Sequence, residues 1–80
     1  MSKTLSCEIN PFWKQQTLID NYTGKEYLVT TKEIPDTLYF LFSKGDIEKV
    51  QLTGAYFDCF DIVYKFENRF PKCKLEFEVL

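Results

Sequence analysis

Hydrophobic and polar residues alternate with a period of two in three short stretches of the chain, at residues 4–9, 60–67 and 74–80. Strict alternation is typical of strands that bury one face and expose the other. In the first stretch, Leu5 and Cys7 fall on the apolar side, and its shortness favours a position at a sheet edge. The pattern therefore predicts at least three half-buried strands.

A fourth stretch, residues 38–42, is apolar on both faces and predicts a central strand covered from both sides. Turns at 35–36 and 43–46 would bound it, and further strands are predicted at 26–31 and 47–52. Turn signals recur about every eight to twelve residues, the spacing of a meander of short strands.

Two segments fit both a helix and strands. Residues 11–22 could form a helix, since Asn10 and Pro11 suit its start and Gly24 its end. We favour instead a hairpin in which residues 20–25 join strands at 17–19 and 26–31. Residues 55–66 also match helical spacing, but their β-branched and aromatic content favours a strand.

These elements predict a mainly β fold for a single domain spanning residues 1–80. The sheet would be small, antiparallel and twisted, or a partly closed barrel, with about five to seven short strands. The alternative is an α+β domain with one short helix near residues 11–22. The predicted core comprises Ile19, Leu28, Leu38, Phe40, Phe42, Val50, Phe60, Ile62, Phe66, Leu75 and Phe77.

Composition supports an ordered domain and argues against some partners. Aromatic residues make up 18% of the 80 residues, enough apolar area for a small core. The net charge is −2, so the chain has no cationic excess for nucleic-acid backbones and direct nucleic-acid binding is not expected. No signal-like segment or apolar run of about 20 residues is present, so we expect a cytoplasmic protein, in the host cytoplasm if phage-encoded, with no membrane partner.

Catalytic residue types are scarce. The chain has no histidine, and its glycines are isolated, so it lacks the common general base and any phosphate-binding loop. The odd set of Cys7, Cys59 and Cys73 predicts reduced and mostly buried thiols. Lys72 and Lys74 flank Cys73, but in a strand they would point to the opposite face. We therefore expect a non-enzymatic chain that needs no metal or cofactor.

Two surfaces remain for a protein partner. A C-terminal hairpin would display acidic side chains on its polar side, suited to the basic groove of a nucleic-acid-processing enzyme. Exposed Tyr and Trp, which combine apolar area with a hydrogen-bonding tip, form the second candidate surface. The candidate partner-binding residues are Asp58, Asp61, Glu67, Glu76 and Glu78, with Trp13, Tyr22, Tyr27 and Tyr56.

The favoured function is a stoichiometric inhibitor of a larger enzyme, by analogy of size and chemistry with phage counter-defence and toxin-immunity proteins. The first alternative is a structural or regulatory subunit, including a homodimer, that docks through a sheet face or through an edge at 4–9 or 75–80. The second is a single-stranded nucleic-acid binder that stacks bases on sheet aromatics. Those aromatics would be Phe40, Phe42, Phe60, Tyr64 and Phe66.

Overall fold

A computed structural model describes residues 3–80, and a five-stranded mixed sheet forms its framework. Along the sheet the strands lie in the order β3-β2-β1-β4-β5. β2 pairs antiparallel with β1 and β3, whereas β4 pairs parallel with β1 and β5, so β2 alone runs against the other strands. The bounds are β1 (Thr4–Ile9), β2 (Gln15–Asp20), β3 (Glu26–Thr30), β4 (Lys49–Gly54) and β5 (Glu76–Val79).

Two helices cover one face of this sheet. A 3-10 turn at Thr31–Glu33 leads from β3 into α1 (Ile34–Ser43), and α2 (Tyr56–Arg69) connects β4 to β5. Alternate strand residues and the inner sides of both helices form one buried cluster, so the core lies between the two layers. Its buried members are Leu5, Cys7, Ile9, Leu18, Ile34, Leu38, Leu41, Ile47, Val50, Leu52, Cys59, Ile62, Phe66 and Leu75.

The local sequence explains where α1 begins and ends. The backbone N–H of Thr30 donates to the Glu33 carboxylate at 3.0 Å and caps the 3-10 turn that leads into α1, a contact that also lowers the pKa of Glu33. Pro35 then lies in the first turn of α1. At the other end Gly45 has a φ of +80°, and the N–H of Asp46 donates to the Leu41 carbonyl at 3.0 Å. The N–H of Gly45 donates to Phe42 in the same way, which completes a glycine-terminated helix end.

A buried glutamine fixes the connection between β1 and β2. Gln16 is fully buried, and its Nε2 donates to the carbonyl of Asn10 at 2.8 Å and to Thr31 Oγ1 at 3.2 Å. Its Oε1 accepts the N–H of Asn10 at 3.0 Å. The Gln16 side chain therefore supplies hydrogen bonds to backbone groups in the loop between β1 and β2, where the two strands no longer pair.

Gly54 is the last residue of β4 that pairs with β1, and it lies opposite Ile9. Its φ is +130°, and a Cβ atom there would lie 2.3 Å from the carbonyl oxygen of Ile9. Only glycine permits this approach of the two strands before α2 begins.

Several strand predictions are confirmed, although the sheet differs from the one expected. Residues 4–9 form β1, the hairpin of β2 and β3 replaces the alternative helix at 11–22, and β4 and β5 match the predicted strands. The α+β class fits, but the sheet is mixed rather than antiparallel, and it is not closed. β1 lies at the centre of the sheet, not at an edge, because β4 pairs with the side that β2 leaves free.

Two predicted strands are wrong. Residues 38–42 belong to α1, and residues 60–67 belong to α2, for which the competing helical interpretation was correct. The core prediction changes accordingly, because a helix turns side chains outward that a strand would bury. Phe40 and Phe60 are exposed on helices, Ile19 and Leu28 on the uncovered sheet face, while Phe42 and Phe77 are partly buried.

Neither of the two helices between residues 3 and 80 has the length and apolar character that crossing a membrane requires.

Candidate functional site

The outer side of α2 carries four exposed aromatic residues, Tyr56, Phe57, Phe60 and Tyr64. We refer to these four residues as the aromatic face. Their exposed fractions are 67%, 91%, 49% and 68%. Exposure of this extent is unusual for phenylalanine, which ordinarily lies in the core, and contiguous exposed apolar surface marks interaction sites.

Helical spacing produces this face. Cys59, Ile62 and Phe66 recur at intervals of three and four and point to the core. Tyr56 and Phe60 lie four residues apart on the other side, as do Phe60 and Tyr64. α2 is therefore apolar on two sides, whereas burial against the sheet needs only one.

The aromatic face is partly ordered by its own contacts. The rings of Tyr56 and Phe60 lie with centroids 4.8 Å apart and planes inclined by 30°. Beside them, the Lys65 ammonium lies 2.9 Å from the Asp61 carboxylate, one helical turn away. Rings that already contact one another lose less freedom when a partner covers them.

The predicted acidic hairpin does not exist, because residues 60–67 are helical. Asp58, Asp61 and Glu67 lie on α2, in the layer that packs on one face of the sheet. Glu76 and Glu78 lie on β5 at positions that alternate with Phe77, which packs against the core, so they belong to the uncovered face. The five carboxylates therefore form two groups on opposite sides of the molecule.

Each acidic group contains one carboxylate that pairs with a lysine. Glu78 accepts a hydrogen bond from Gln51 Nε2 at 2.8 Å and lies 3.4 Å from Lys49 Nζ, so it joins β5 to β4. On α2, Asp61 pairs with Lys65, and no ion pair within residues 3–80 involves Asp58, Glu67 or Glu76. Negative charge without an internal partner thus accompanies the aromatic face.

The predicted aromatic residues are also dispersed. Trp13 lies in the loop between β1 and β2, at the rim of a shallow cavity of about 310 Å³ on the uncovered sheet face. Tyr22 is exposed in the turn after β2, and Tyr27 packs against the core from β3, with Lys25 Nζ 5.1 Å from its ring centroid. Of the predicted aromatics, only Tyr56 belongs to the aromatic face.

Sequence reasoning missed three of the four residues of the aromatic face. The sequence pattern predicts Phe60 in the core or, with Tyr64, on a base-stacking sheet, and it assigns Phe57 to no site. The available signal was the spacing of four between Tyr56, Phe60 and Tyr64 once residues 55–66 are read as a helix.

The three thiols occupy different environments. Cys7 and Cys59 are buried and free of disulfides. Burial raises the pKa of the Cys7 thiol to about 12, with Cys59 contributing, and burial also raises the pKa of Cys59, with Asp58 contributing. Neither thiol is therefore placed to act as a thiolate nucleophile near neutral pH.

The half-buried Cys73 follows α2 in the irregular segment 70–75 rather than in a strand. The strand argument that pointed Lys72 and Lys74 away from it does not apply there, and all three residues line one groove. Within residues 3–80, no three His, Cys, Asp or Glu side chains are grouped so as to hold a metal ion.

Comparison of the chain with protein-family models, with curated proteins and with solved structures gives no match.

Proposed function

We propose that the chain is a non-enzymatic protein-binding domain whose contact surface is the aromatic face of α2. The observation that carries the proposal is the exposure of Tyr56, Phe57, Phe60 and Tyr64 on the side of α2 that faces away from the core. Aromatic side chains dominate the energetically important positions of protein interfaces.

The charges beside this face specify the chemistry of the partner. Asp61 and Glu67 flank the aromatic residues along α2, and Glu67 has no ion-pair partner within residues 3–80. A complementary surface is apolar at its centre and basic at its rim. The overall charge of −2 adds long-range attraction towards such a surface.

In its specific form, the proposal is a stoichiometric inhibitor of phage counter-defence or toxin-immunity type. Nucleic-acid-processing enzymes carry basic grooves, and a helix with an apolar face fits a groove in a recognised binding mode. An inhibitor of this kind needs a complementary surface and no catalytic residue of its own. A chain without histidine, the common general base, is compatible with that role.

Site-specific photocrosslinking tests the contact surface. A benzoylphenylalanine is introduced in place of Phe57, on the aromatic face, or in place of Leu28, which is 64% exposed on the uncovered sheet face. Both variants are irradiated in a lysate of the organism that encodes the chain. We expect one protein to crosslink from position 57 and not from position 28.

The crosslinked protein is then purified and titrated with the chain. Removal of a central aromatic residue from an interface costs about 2 kcal/mol or more, so Phe57→Ser should weaken binding about 30-fold. Phe12→Ser is the matched control, since Phe12 is 93% exposed but lies in the loop between β1 and β2. An inhibitor should abolish the partner's activity at a 1:1 ratio; equal weakening by both substitutions would contradict the proposal.

A docking role in an assembly is the second candidate, favoured by the sheet face that no described segment covers. Ile19, Leu28 and Trp13 are exposed on or beside that face. Crosslinking from position 28 to a second copy or to a subunit, with none from position 57, would support this role instead. The base-stacking hypothesis loses its platform, because the aromatics it requires lie on helices.

A further inference from the structure

A groove of about 620 Å³ lies where the end of α1 meets the segment that leaves α2. Its walls are formed by Tyr39 and Phe42 of α1 and by Phe70 and Pro71 of the following segment. The rings of Tyr39 and Phe70 are stacked, with centroids 4.2 Å apart and planes only 5° from parallel. Volumes of roughly 300–1,000 Å³ with mostly apolar walls are typical of small-ligand sites.

The walls of the groove are fixed by backbone and ring contacts. The N–H of Phe70 donates to the Phe66 carbonyl at 2.8 Å, and the N–H of Cys73 donates to the Phe70 carbonyl at 3.0 Å. Pro71 occupies the second position of the resulting four-residue turn, which suits its restricted φ. The ring of Phe70 also contacts the buried ring of Phe66, at a centroid distance of 5.2 Å. The groove is thus formed without a ligand.

Two cations without a counter-charge line the same groove, Lys72 and Lys74. No carboxylate is among the lining residues, and no ion pair in the described part of the chain includes either lysine. The carbonyls of Leu41 and Phe42 at the nearby end of α1 accept N–H groups from the turn that follows. In a chain with a net charge of −2, Lys72 and Lys74 therefore give this groove a local positive charge.

We propose that the groove binds a small planar aromatic carboxylate. Its ring system would lie against the wall formed by Tyr39 and Phe70, and its carboxylate would lie between Lys72 and Lys74. The volume fits the body of a small molecule, and two lysines without a counter-charge fit a single anionic group. The groove shares no residue with the aromatic face, so this site is independent of the proposed protein contact.

Titration of the intact chain with 2-naphthoate tests the site. Amide resonances of residues 39–43 and 70–74 should shift in a saturable manner. The neutral analogue 2-naphthamide should bind at least about tenfold more weakly, because it has the same ring system without the charge. Saturation that shifts α2 resonances 56–64 and not the groove would overturn the assignment.

Charge removal separates this site from general electrostatic attraction. The double variant Lys72→Gln, Lys74→Gln should weaken 2-naphthoate binding at least about tenfold. The control Lys14→Gln, Lys32→Gln makes the same change in net charge at exposed lysines outside the groove and should leave the dissociation constant unchanged. Equal affinities for the two double variants would overturn the proposal.

Cys73 supplies a second measurement that does not depend on resonance shifts. Cys7 and Cys59 are buried, so iodoacetamide should modify the native chain at Cys73. Saturating 2-naphthoate should slow this modification at least about tenfold, since Cys73 lines the groove. An unchanged rate at saturation would place the ligand elsewhere.

A peptide probe distinguishes a free small molecule from the end of a protein chain. An acetylated tetrapeptide with a C-terminal phenylalanine carboxylate presents the same aromatic and anionic groups. We expect it to bind no more tightly than 2-naphthoate. Peptide binding at least about tenfold tighter than naphthoate would overturn the small-molecule assignment.

Discussion

At the scale of single residues, the most constrained polar side chain is Gln16. Its amide satisfies the backbone N–H and the carbonyl of Asn10 while no part of it reaches solvent. Buried polar groups are costly when one partner is removed, because the other loses both water and its hydrogen bond.

Replacement of Gln16 by leucine should therefore destabilise the chain by about 1–3 kcal/mol, since it leaves the backbone N–H of Asn10 without its acceptor. Gln15→Leu is the control, because Gln15 is the exposed neighbour on β2. Urea denaturation of both variants checks the prediction. A Gln16→Leu variant as stable as Gln15→Leu would show that water replaces the amide.

The buried thiol of Cys7 gives the stability a dependence on alkaline pH. Its pKa is raised from 9.0 to about 12, so the native state keeps a proton that the unfolded chain releases above pH 9. The native state then binds more protons, and stability falls as the pH rises from about 9 to 12. The slope is about 1.4 kcal/mol per pH unit for one thiol.

Cys7→Ala should lose this contribution, so its stability should fall less than that of the wild type between pH 8 and 10.5, by about 2 kcal/mol. Leu18→Ala is the control, since Leu18 pairs with Cys7 across the sheet and its truncation opens a cavity without removing a titrating group. Denaturant midpoints at both pH values measure the difference. Identical pH slopes for Cys7→Ala and Leu18→Ala would contradict it.

At the scale of secondary structure, α2 combines a core side with an aromatic side. Phe66 is 1% exposed and contacts Phe77 on β5 at a centroid distance of 5.1 Å, whereas Phe57 is 91% exposed. The same residue type therefore has two different roles within one helix.

Phe66→Ala should cost about 3–5 kcal/mol of stability, because it removes a buried ring and leaves a cavity. Phe57→Ala should change stability by less than about 0.5 kcal/mol. Thermal unfolding of the two variants checks this contrast. A comparable loss for Phe57→Ala would mean that the aromatic face is not free in the isolated chain.

The sequence predicted strands well where polar and apolar residues alternate, as in β1, and poorly where aromatic residues are abundant. Residues 38–42 are apolar in every position, so they fit a buried strand and a helix equally. The deciding signals lay upstream, in the Thr30–Glu33 contact and in Pro35, which lies in the first helical turn.

The strand prediction for residues 60–67, which belong to α2, is wrong for a different reason. The aromatic and β-branched residues of this helix favour strands, and residues 60–67 also happen to alternate. Packing between helix and sheet overrode that propensity, because Cys59, Ile62 and Phe66 together match the buried side of a helix. The error also concealed the aromatic face proposed as the contact surface, since Phe60 and Tyr64 are both exposed only when the segment is helical.

At the scale of the whole molecule, the aromatic face and the groove are separate surfaces. No residue that lines the groove belongs to the aromatic face. We therefore expect Phe57→Ser to leave the affinity for 2-naphthoate unchanged within about twofold, since sites without shared contacts behave additively. Calorimetric titration of this variant measures the affinity; a tenfold loss would show that the two surfaces are coupled.

The central position of β1 has a consequence for how the chain reaches its native state. β1 pairs with β4 at a separation of 45 positions, from Thr4 with Lys49 to Ile9 with Gly54, whereas the β1–β2–β3 meander is local. Closing the longer loop costs more entropy, so we expect the meander to form before β4 pairs with β1. Until then, one edge of β1 has no partner strand. An unpaired strand edge can pair with a strand of another chain, which leads to aggregation. Refolding yield should therefore decline with protein concentration in dilution experiments while equilibrium stability stays constant.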